Sequence, residues 1–455
     1  MAYKLLIEKY GKIEKAEIVV APITLLVGDN NSGKSYLLSL LWAFMSGEAN
    51  YLMYKGLKEL LVSKYTDIYS QIIQILSEHN LYMQNKKVEI READIVNILN
   101  DLLDKNKNNI VRSIFNYEGM QIGKIQIESM ENRTFEVVRK EESLERTVIK
   151  VKIDNIGKMT FNYPNEMDIE ERITCSIFES LFKYILQNGR VINATHYLPA
   201  ARTGFMLAKN TINQVGRKNT FDFVVRGQEE INDPIISPFP KPIIHFLNSL
   251  DNLDFEIEKK AYSDIVEWII ANMSHGDVEC TDIRSKNFQY IPNDGENGIP
   301  LRATSGVVTE LTPLILLLKY GRSLHSICYE EPEMCLHPQL QLDMAKLLIR
   351  MVNKGINIIA TTHSDIIIQH INNVCQLNSI SRAKDILEEL NLEEDDLIDI
   401  NKVMIYQFED DGRSTRVQRI TPYNNRFEVS SFVDALGEIL EQSINISEVV
   451  DSEEE

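Results

Sequence analysis

The run Gly28-Asp-Asn-Asn-Ser-Gly33-Lys34-Ser35 spells G-x-x-x-x-G-K-S, a spacing whose established use is to cradle nucleotide phosphates. Gly28 and Gly33 let the backbone curl so that its N–H groups, those of Asn30, Asn31 and Ser32 among them, face the phosphates. Lys34 reaches the β and γ oxygens and Ser35 offers its hydroxyl to Mg²⁺, so ATP and Mg²⁺ are the expected cofactors. A second group closes the apolar run Leu324-His-Ser-Ile-Cys-Tyr with Glu330 and Glu331. One such carboxylate can hold Mg²⁺ through water while the next polarises the attacking water; by position Glu330 is the metal-side acid and Glu331 the general base. Glu333 either faces a cation or is a solvated neighbour, because a third carboxylate in a row adds repulsion. The run Ile356-Asn-Ile-Ile-Ala ends in Thr361-Thr-His363-Ser-Asp365, and a histidine at such a strand end can donate a hydrogen bond to the γ-phosphate. Ser305-Gly306, ahead of an apolar helix, forms a further anion seat. The remaining histidines show no metal spacing and read as structural.

Chemistry at these positions requires a scaffold. Residues 3 to 27 alternate apolar and charged positions and end in Ile23-Thr-Leu-Leu-Val27, the pattern of strands with the last one buried. From Lys34 to Met45 nothing breaks a helix. Leu57, Leu61, Tyr65, Ile68, Ile72 and Leu76 recur at spacings of three and four, as do Ile95, Leu99 and Leu102, which predicts two amphipathic helices. Between Gly119 and Pro164 short alternating stretches predict antiparallel strands. A helix is expected near 168–187 and an exposed loop over 217–242. From 306 onward the order is helix, strand (324–329), helix (339–352), strand (356–360) and helix (364–371), the rhythm of a parallel α/β sheet. The expected fold is therefore α/β. The head comprises an N-terminal lobe at 1–49 with the phosphate loop and a C-terminal lobe at 191–375; a mixed helical and antiparallel-strand insertion occupies 50–190. Strands near 402–420, a helix near 430–441 and an acidic tail make up 376–455.

Composition narrows the setting. Hydrophobic residues at 44% and charged residues at 25% suit a folded, soluble chain. A net charge of −19 argues against a surface that clings to nucleic acid throughout, and leaves room for a local basic groove. The acidic run Glu393-Glu-Asp-Asp396 and the terminal Asp451-Ser-Glu-Glu-Glu455 read as solvated surface and frayed tail. Cys175, Cys280, Cys328, Cys335 and Cys375 lie far apart without a C-x-x-C pair, so reduced thiols are expected. Charges interrupt every apolar run at the N-terminus, which fits neither a signal peptide nor a spanning helix. The cytoplasm is the expected location, with no membrane partner.

The order phosphate loop, Ser305-Gly306 helix start, Glu330-Glu331 strand, Leu336-His337-Pro338 and Thr362-His363-Ser364 resembles the ATP-binding-cassette (ABC-type) superfamily. Glu330-Glu-Pro-Glu-Met-Cys-Leu-His-Pro and Tyr197-Leu-Pro-Ala-Ala-Arg202-Thr-Gly are similar to the OLD-like (AAA15-like) ATPases of bacterial anti-phage systems, those of Septu and PARIS included. The resemblance covers about residues 1–47 and 195–375. It implies a P-loop ATPase head in a homodimer or higher homo-oligomer, and Glu331 points to slow ATP turnover rather than to a scaffold that binds ATP and barely hydrolyses it. Ser305 and Gly306 of one subunit would then cap the nucleotide held by Lys34 of the other. Two departures stand out: Thr-Ser-Gly-Val where the superfamily has Leu-Ser-Gly-Gly, and Glu330 where Asp is usual. Arg202 either senses nucleotide or braces its loop. OLD nucleases carry a TOPRIM domain with a D-x-D pair, and no D-x-D follows His363, so cutting would fall to a separate HNH or TOPRIM nuclease. Any nucleic acid would be met through that partner or a local groove. A Rad50 or SMC type of repair ATPase is the alternative, and it would need long heptad arms. A transporter subunit would need a compact head, which the wide separation of Ser35 from Ser305 opposes.

Overall fold

A computed structural model describes residues 3–77, 87–143, 146–153, 157–164, 170–186, 194–209, 211–212, 238–256, 260–282, 287–295, 297–321, 324–380, 382–429 and 442–444. The chain divides into two compact units, Met1–Val19 with Ala43–Asn193, and Val20–Trp42 with Ala194–Glu455.

In the second unit the strand Ile23–Gly28 lies at the centre, and all six of its residues are buried. Aliphatic side chains on both faces are what a parallel strand covered on both sides demands. Asn357–Thr362 pairs with it on one side and Val403–Asp410 on the other, both parallel. Ser326–Glu330 and then Thr195–Leu198 continue the parallel order outward. Thr415–Ile420 runs antiparallel to Val403–Asp410. In register, Glu330 lies opposite Thr361, Thr362 opposite Val27, and Gly28 opposite Phe408. The carboxyl ends of four strands therefore share one edge, where open α/β sheets bind ligands. The helices Gly306–Tyr320, Pro338–Asn353 and Asp365–Asn378 bury their apolar stripes in one core with these strands.

Three expectations change in this unit. The helix foreseen over 364–371 continues to Asn378 because Val374, Cys375 and Leu377 keep its buried stripe going. Of the loop foreseen over 217–242, residues 217–237 lie outside the described ones, and its end belongs to the helix Lys241–Asp251, with Pro242 in the first turn where proline is tolerated. The run Glu393 to Asp396 is not simply a solvated face. Asp396 is 1% exposed and its carboxylate meets Arg350 Nε at 2.7 Å, while Glu393 and Asp396 form a reciprocal capping box on a short 3₁₀ turn. The helix foreseen near 430–441 and the acidic tail lie outside the described residues.

In the first unit the hairpin Tyr3–Tyr10 with Ile13–Ile18 is joined by Ile122–Ser129, antiparallel to Tyr3–Tyr10. Lys87–Arg91, Thr134–Ser143, Arg146–Ile153 and Gly157–Pro164 form a separate four-stranded antiparallel sheet. The alternating stretches of 119–164 are thus strands as expected, but tertiary pairing assigns them to two sheets. The periodic run from Leu57 to Leu76 makes two helices, Leu57–Lys64 and Thr66–Ser77, interrupted at Tyr65, whose hydroxyl donates to Asp101 at 2.6 Å. The next helix runs 24 residues, Glu92–Phe115, and Glu170–Leu186 follows near the expected position. Glu92 is buried against Arg133, Nε to Oε2 at 2.8 Å, and Ser129 donates to its other oxygen at 2.8 Å. Cys175, Cys328, Cys335 and Cys375 are free thiols.

Candidate active site

The loop after Ile23–Gly28 takes its shape from glycine. Gly28 has φ +129°, and a Cβ there would sit 2.2 Å from the backbone oxygen of Phe408 on the neighbouring strand. Gly33 follows at φ +96° and Asn31 at +61°, the latter a residue type that tolerates the left-handed region. A backbone oxygen paired in a sheet cannot step aside as a flexible side chain can. Gly28→Ala is therefore expected to destabilise the protein by about 3 kcal/mol or more, read as a fall of several degrees in the thermal midpoint. A midpoint equal to wild type would contradict this packing.

Lys34 lies at the first position of the helix Lys34–Ser46 and is 6% exposed. Its Nζ donates to the carbonyls of Gly28 (2.8 Å) and Asp29 (2.5 Å), and Ser32 Oγ donates to Asp29 O at 2.7 Å. The turn is thus closed on its own carbonyls. Burial pulls the Lys34 ammonium down to about 8, against the opposing pull of the Glu331, Asp29 and Glu333 carboxylates. Asn30, Asn31 and Ser35 are exposed on this turn, and Ser32 is buried beneath it.

Glu330 is held by both oxygens: Tyr197 donates its hydroxyl to Oε1 and Ala200 its N–H to Oε2, each at 2.9 Å. Tyr197 also meets Ser39, one helical turn beyond Ser35, at 3.3 Å. Glu331 adopts φ +43°, a conformation that costs about 1–3 kcal/mol in a residue with a Cβ. It is pinned from both sides. Its N–H donates to Thr361 O (3.0 Å) and Thr361 Oγ1 (3.2 Å), and its carbonyl accepts from Arg202 Nη2 (3.1 Å). Arg202 Nη1 donates to Glu330 O (2.9 Å) and Pro199 O (3.1 Å). The guanidinium is fully buried over the Tyr329 ring, with Nε 2.6 Å from Glu310 Oε2 in a charge contact rather than an aligned hydrogen bond. Of the two roles open to Arg202, its contacts are those of a brace. Glu310, unlike Arg202, is not singled out in the sequence, where its one signal is a lone charge in an apolar stretch, opposite in sign to Arg202.

Glu333 is not a solvated neighbour. Its Oε1 accepts the His363 N–H at 2.6 Å, and burial lifts its carboxyl above the usual range, opposed first by that N–H. His363 is half-buried at the end of Asn357–Thr362, and burial first, then the nearby Lys34 ammonium, keep its imidazole below the ordinary value while Asp29 acts the other way. A neutral imidazole at pH 7 has one N–H to donate. Lys34, Asp29, Glu331, Glu333 and His363 thus form one electrostatic cluster at the shared strand edge.

Ser305 and Gly306 sit at the start of the helix Gly306–Tyr320. Both are exposed; Ser305 Oγ caps the helix Gly306–Tyr320 by accepting from Val308 N at 3.4 Å. A Cβ on Gly306 would meet only Cys335 Cβ, at an ordinary 3.8 Å, so folding alone does not require glycine there. Among the described residues no hydrogen bond or ion pair joins either to Lys34, Glu331 or His363. Nor do three His, Cys, Asp or Glu side chains converge as a metal cage among the described residues, so a divalent ion here would need phosphate oxygens to complete its shell.

A glycine-shaped phosphate turn between a central parallel strand and a helix, faced by carboxylates at the next strand ends, defines a P-loop ATPase head of mixed α/β type. The chain belongs to the AAA_15 family of AAA ATPase domains, whose family model matches residues 1–368. The chain is also similar to solved SMC heads. One is the SMC head domain from Thermotoga maritima, at TM-score 0.31 and 12% identity, covering 93% of this chain and 100% of that one. Another is an Smc head with an extended coiled coil bound to a ScpA domain, derived from Pyrococcus furiosus, at 0.34 and 10%, covering 96% and 98%. A third, an SmcHead bound to the C-winged helix domain of ScpA, scores 0.35 at 10%, covering 92% and 97%. At such scores these are loose likenesses. A search of the curated proteins returned no match. Among the described residues no helix is long and apolar enough to cross a membrane.

Proposed function

We propose that this chain binds and slowly hydrolyses ATP as the regulatory component of a bacterial anti-phage defence system, acting from the cytoplasm on a separately encoded effector nuclease. The observation that carries the ATPase reading is the gathering of Lys34, Glu331 and His363 at adjacent carboxyl ends of parallel strands, around the turn that Gly28 shapes. The turn's N–H groups, from Gly28 through Ser35, hold the phosphates, and Lys34 gives up its loop carbonyls for phosphate oxygens. Ser35 and, through water, Glu330 are the residues that would hold Mg²⁺; the ion supplies charge neutralisation at the β and γ phosphates. Glu330 suits a water-bridged role, since each of its oxygens already accepts one hydrogen bond and keeps a free lone pair. Glu331 takes the proton of the attacking water. The new O–P bond forms as the bond from the γ-phosphorus to the bridging oxygen breaks, leaving ADP and phosphate. His363 donates its N–H to the γ-phosphate.

Ser305 and Gly306, exposed and without a hydrogen bond or ion pair to Lys34 among the described residues, fit a site completed by a second copy of the chain. Mixing a Lys34→Ala preparation with a Ser305→Arg preparation is expected to restore part of the activity each lacks, because one of the two shared sites then has both its parts. Turnover in the mixture no greater than the sum of the separate preparations would remove the sandwich.

The defence role rests on the resemblance of Tyr197–Gly204 and Glu330–Pro338 to the OLD-like ATPases. The adjacent reading frame tests it: an HNH nuclease there supports a Septu-like pairing, a TOPRIM protein a PARIS-like one, and a membrane permease contradicts both. The Rad50 or SMC type of role is less well served, since the longest helix among the described residues has 24 residues, whereas such arms run over many heptads.

A further inference from the structure

Two stretches not used by the chemistry above meet behind the catalytic carboxylates. Tyr197 to Arg202 closes the strand Thr195–Leu198 and continues beyond it, and Glu310 lies one turn into the helix that Ser305 caps. Arg202 joins them. Its guanidinium contacts Glu310 Oε2 on one side and donates to the carbonyls of Glu330 and Glu331 on the other. Thr203 Oγ1 adds a 2.6 Å donation to Glu310 Oε1, and a weaker one to Thr309 at 3.4 Å. The helix that presents Ser305 and Gly306 is therefore connected, through one buried cation, to the carbonyl of a residue held in left-handed backbone.

We propose that Arg202 and Glu310 are positioning residues that hold Glu331 in its left-handed conformation and tie that conformation to the placement of the Ser305-Gly306 helix. Thr361 secures the Glu331 N–H, and the carbonyl accepts from the Met334 N–H at 3.0 Å inside the same turn and from Arg202. Without Arg202 the carbonyl keeps only that contact within its own turn among the described residues, so the backbone can leave φ +43° and take the carboxylate from the edge shared with Lys34. A helix displaced at Ser305 pulls on Glu310, and a helix docked there holds it, so nucleotide capped by a second subunit and a correctly aimed general base become one event. This inference rests on the ATPase reading above.

Glu310→Gln tests it. The amide keeps the shape and, in either of its two orientations, removes the negative charge that faces the buried Arg202 guanidinium. ATP turnover and fluorescent-nucleotide affinity are measured for wild type, Lys34→Ala, Glu310→Gln and Arg202→Lys. Wild-type turnover above the Lys34→Ala blank secures the ATPase reading independently; its absence overturns that reading and this one together. Given turnover, Glu310→Gln and Arg202→Lys are expected to lose at least about tenfold in kcat, which is about 1.4 kcal/mol of barrier, with nucleotide affinity within about threefold of wild type. A double replacement, Arg202→Met with Glu310→Met, separates position from stability, since buried ion pairs are often replaced by apolar pairs without loss of stability. It is expected to recover the thermal midpoint and not kcat. A folded Glu310→Gln protein with kcat within twofold of wild type, or a kcat that returns with the midpoint in the double variant, overturns the proposal.

Discussion

Replacing Lys34 with alanine is expected to weaken ATP binding by at least about 100-fold, a loss of roughly 2.7 kcal/mol, in a protein that still folds. The loop explains why both halves hold. In the free protein the Lys34 ammonium bonds, among the described residues, to the carbonyls of Gly28 and Asp29 and, weakly, to Ser32, and those carbonyls sit beside an exposed turn where water can replace it. Nothing in the core depends on it. ATP, in contrast, loses its one buried cation among the turn residues, and a charge-assisted bond to phosphate has no substitute there. Unchanged nucleotide affinity in Lys34→Ala would refute the phosphate-loop assignment. The same residue predicts a pH dependence. Burial brings the free-state ammonium to about 8, while a bound triphosphate favours the charged form and raises that value. Affinity is therefore fullest below pH 8 and falls as pH rises above it, by up to about tenfold per unit until the bound-state value is reached. Lys34→Arg, charged throughout this range, should show a flat profile between pH 7 and 9.5.

The second large effect is expected from Glu331→Gln: turnover down by about 100- to 1,000-fold with ATP affinity within a few-fold of wild type. Glutamine fits the same space, and the backbone bonds that pin residue 331, from Thr361 and Arg202, do not involve the side chain. Only the proton acceptor goes. Glu333 is the rival for that role, being next in the string and close to Lys34. Its Oε1, however, is engaged by the His363 N–H, and burial favours its neutral form, which makes it a poor base. Steady-state kinetics on both glutamine variants decide the matter. Wild-type kcat in Glu331→Gln would take the base role from Glu331.

Much of the candidate site can be read in the sequence because its parts are local. A phosphate turn is made by eight consecutive residues, and the chemistry of backbone N–H groups at a helix start does not depend on what lies elsewhere in the chain. Strand ends carrying Glu330, Glu331 and His363 could be read from apolar runs that stop at polar residues, since parallel strands buried on both faces have few other appearances. The sheet's parallel order then had to bring those ends to one edge.

The fate of Glu333 and Arg202 could not be read that way. Whether a carboxylate is solvated or buried against a backbone N–H thirty positions away is a matter of register between Ser326–Glu330 and Asn357–Thr362. Arg202 and Glu310 are more than a hundred positions apart and meet only because two helices and a strand end are packed together. For the same reason periodicity located the strands of 119–164 but could not tell which would join Tyr3–Tyr10 and which would pair among themselves. Asp396 likewise looked like one of four surface acids until Arg350 reached it.

The sequence by itself thus determined the phosphate loop, the paired acids and the α/β class, because short-range steric and hydrogen-bonding rules act on neighbouring residues. Only the tertiary structure decided that Glu331 is held in a strained conformation with Arg202 on its carbonyl, that Glu333 faces inward to His363, and that Ser305 and Gly306 are exposed, without a hydrogen bond or ion pair to Lys34 among the described residues. Those outcomes depend on which charges are desolvated together, a property of packing that no single stretch of chain contains.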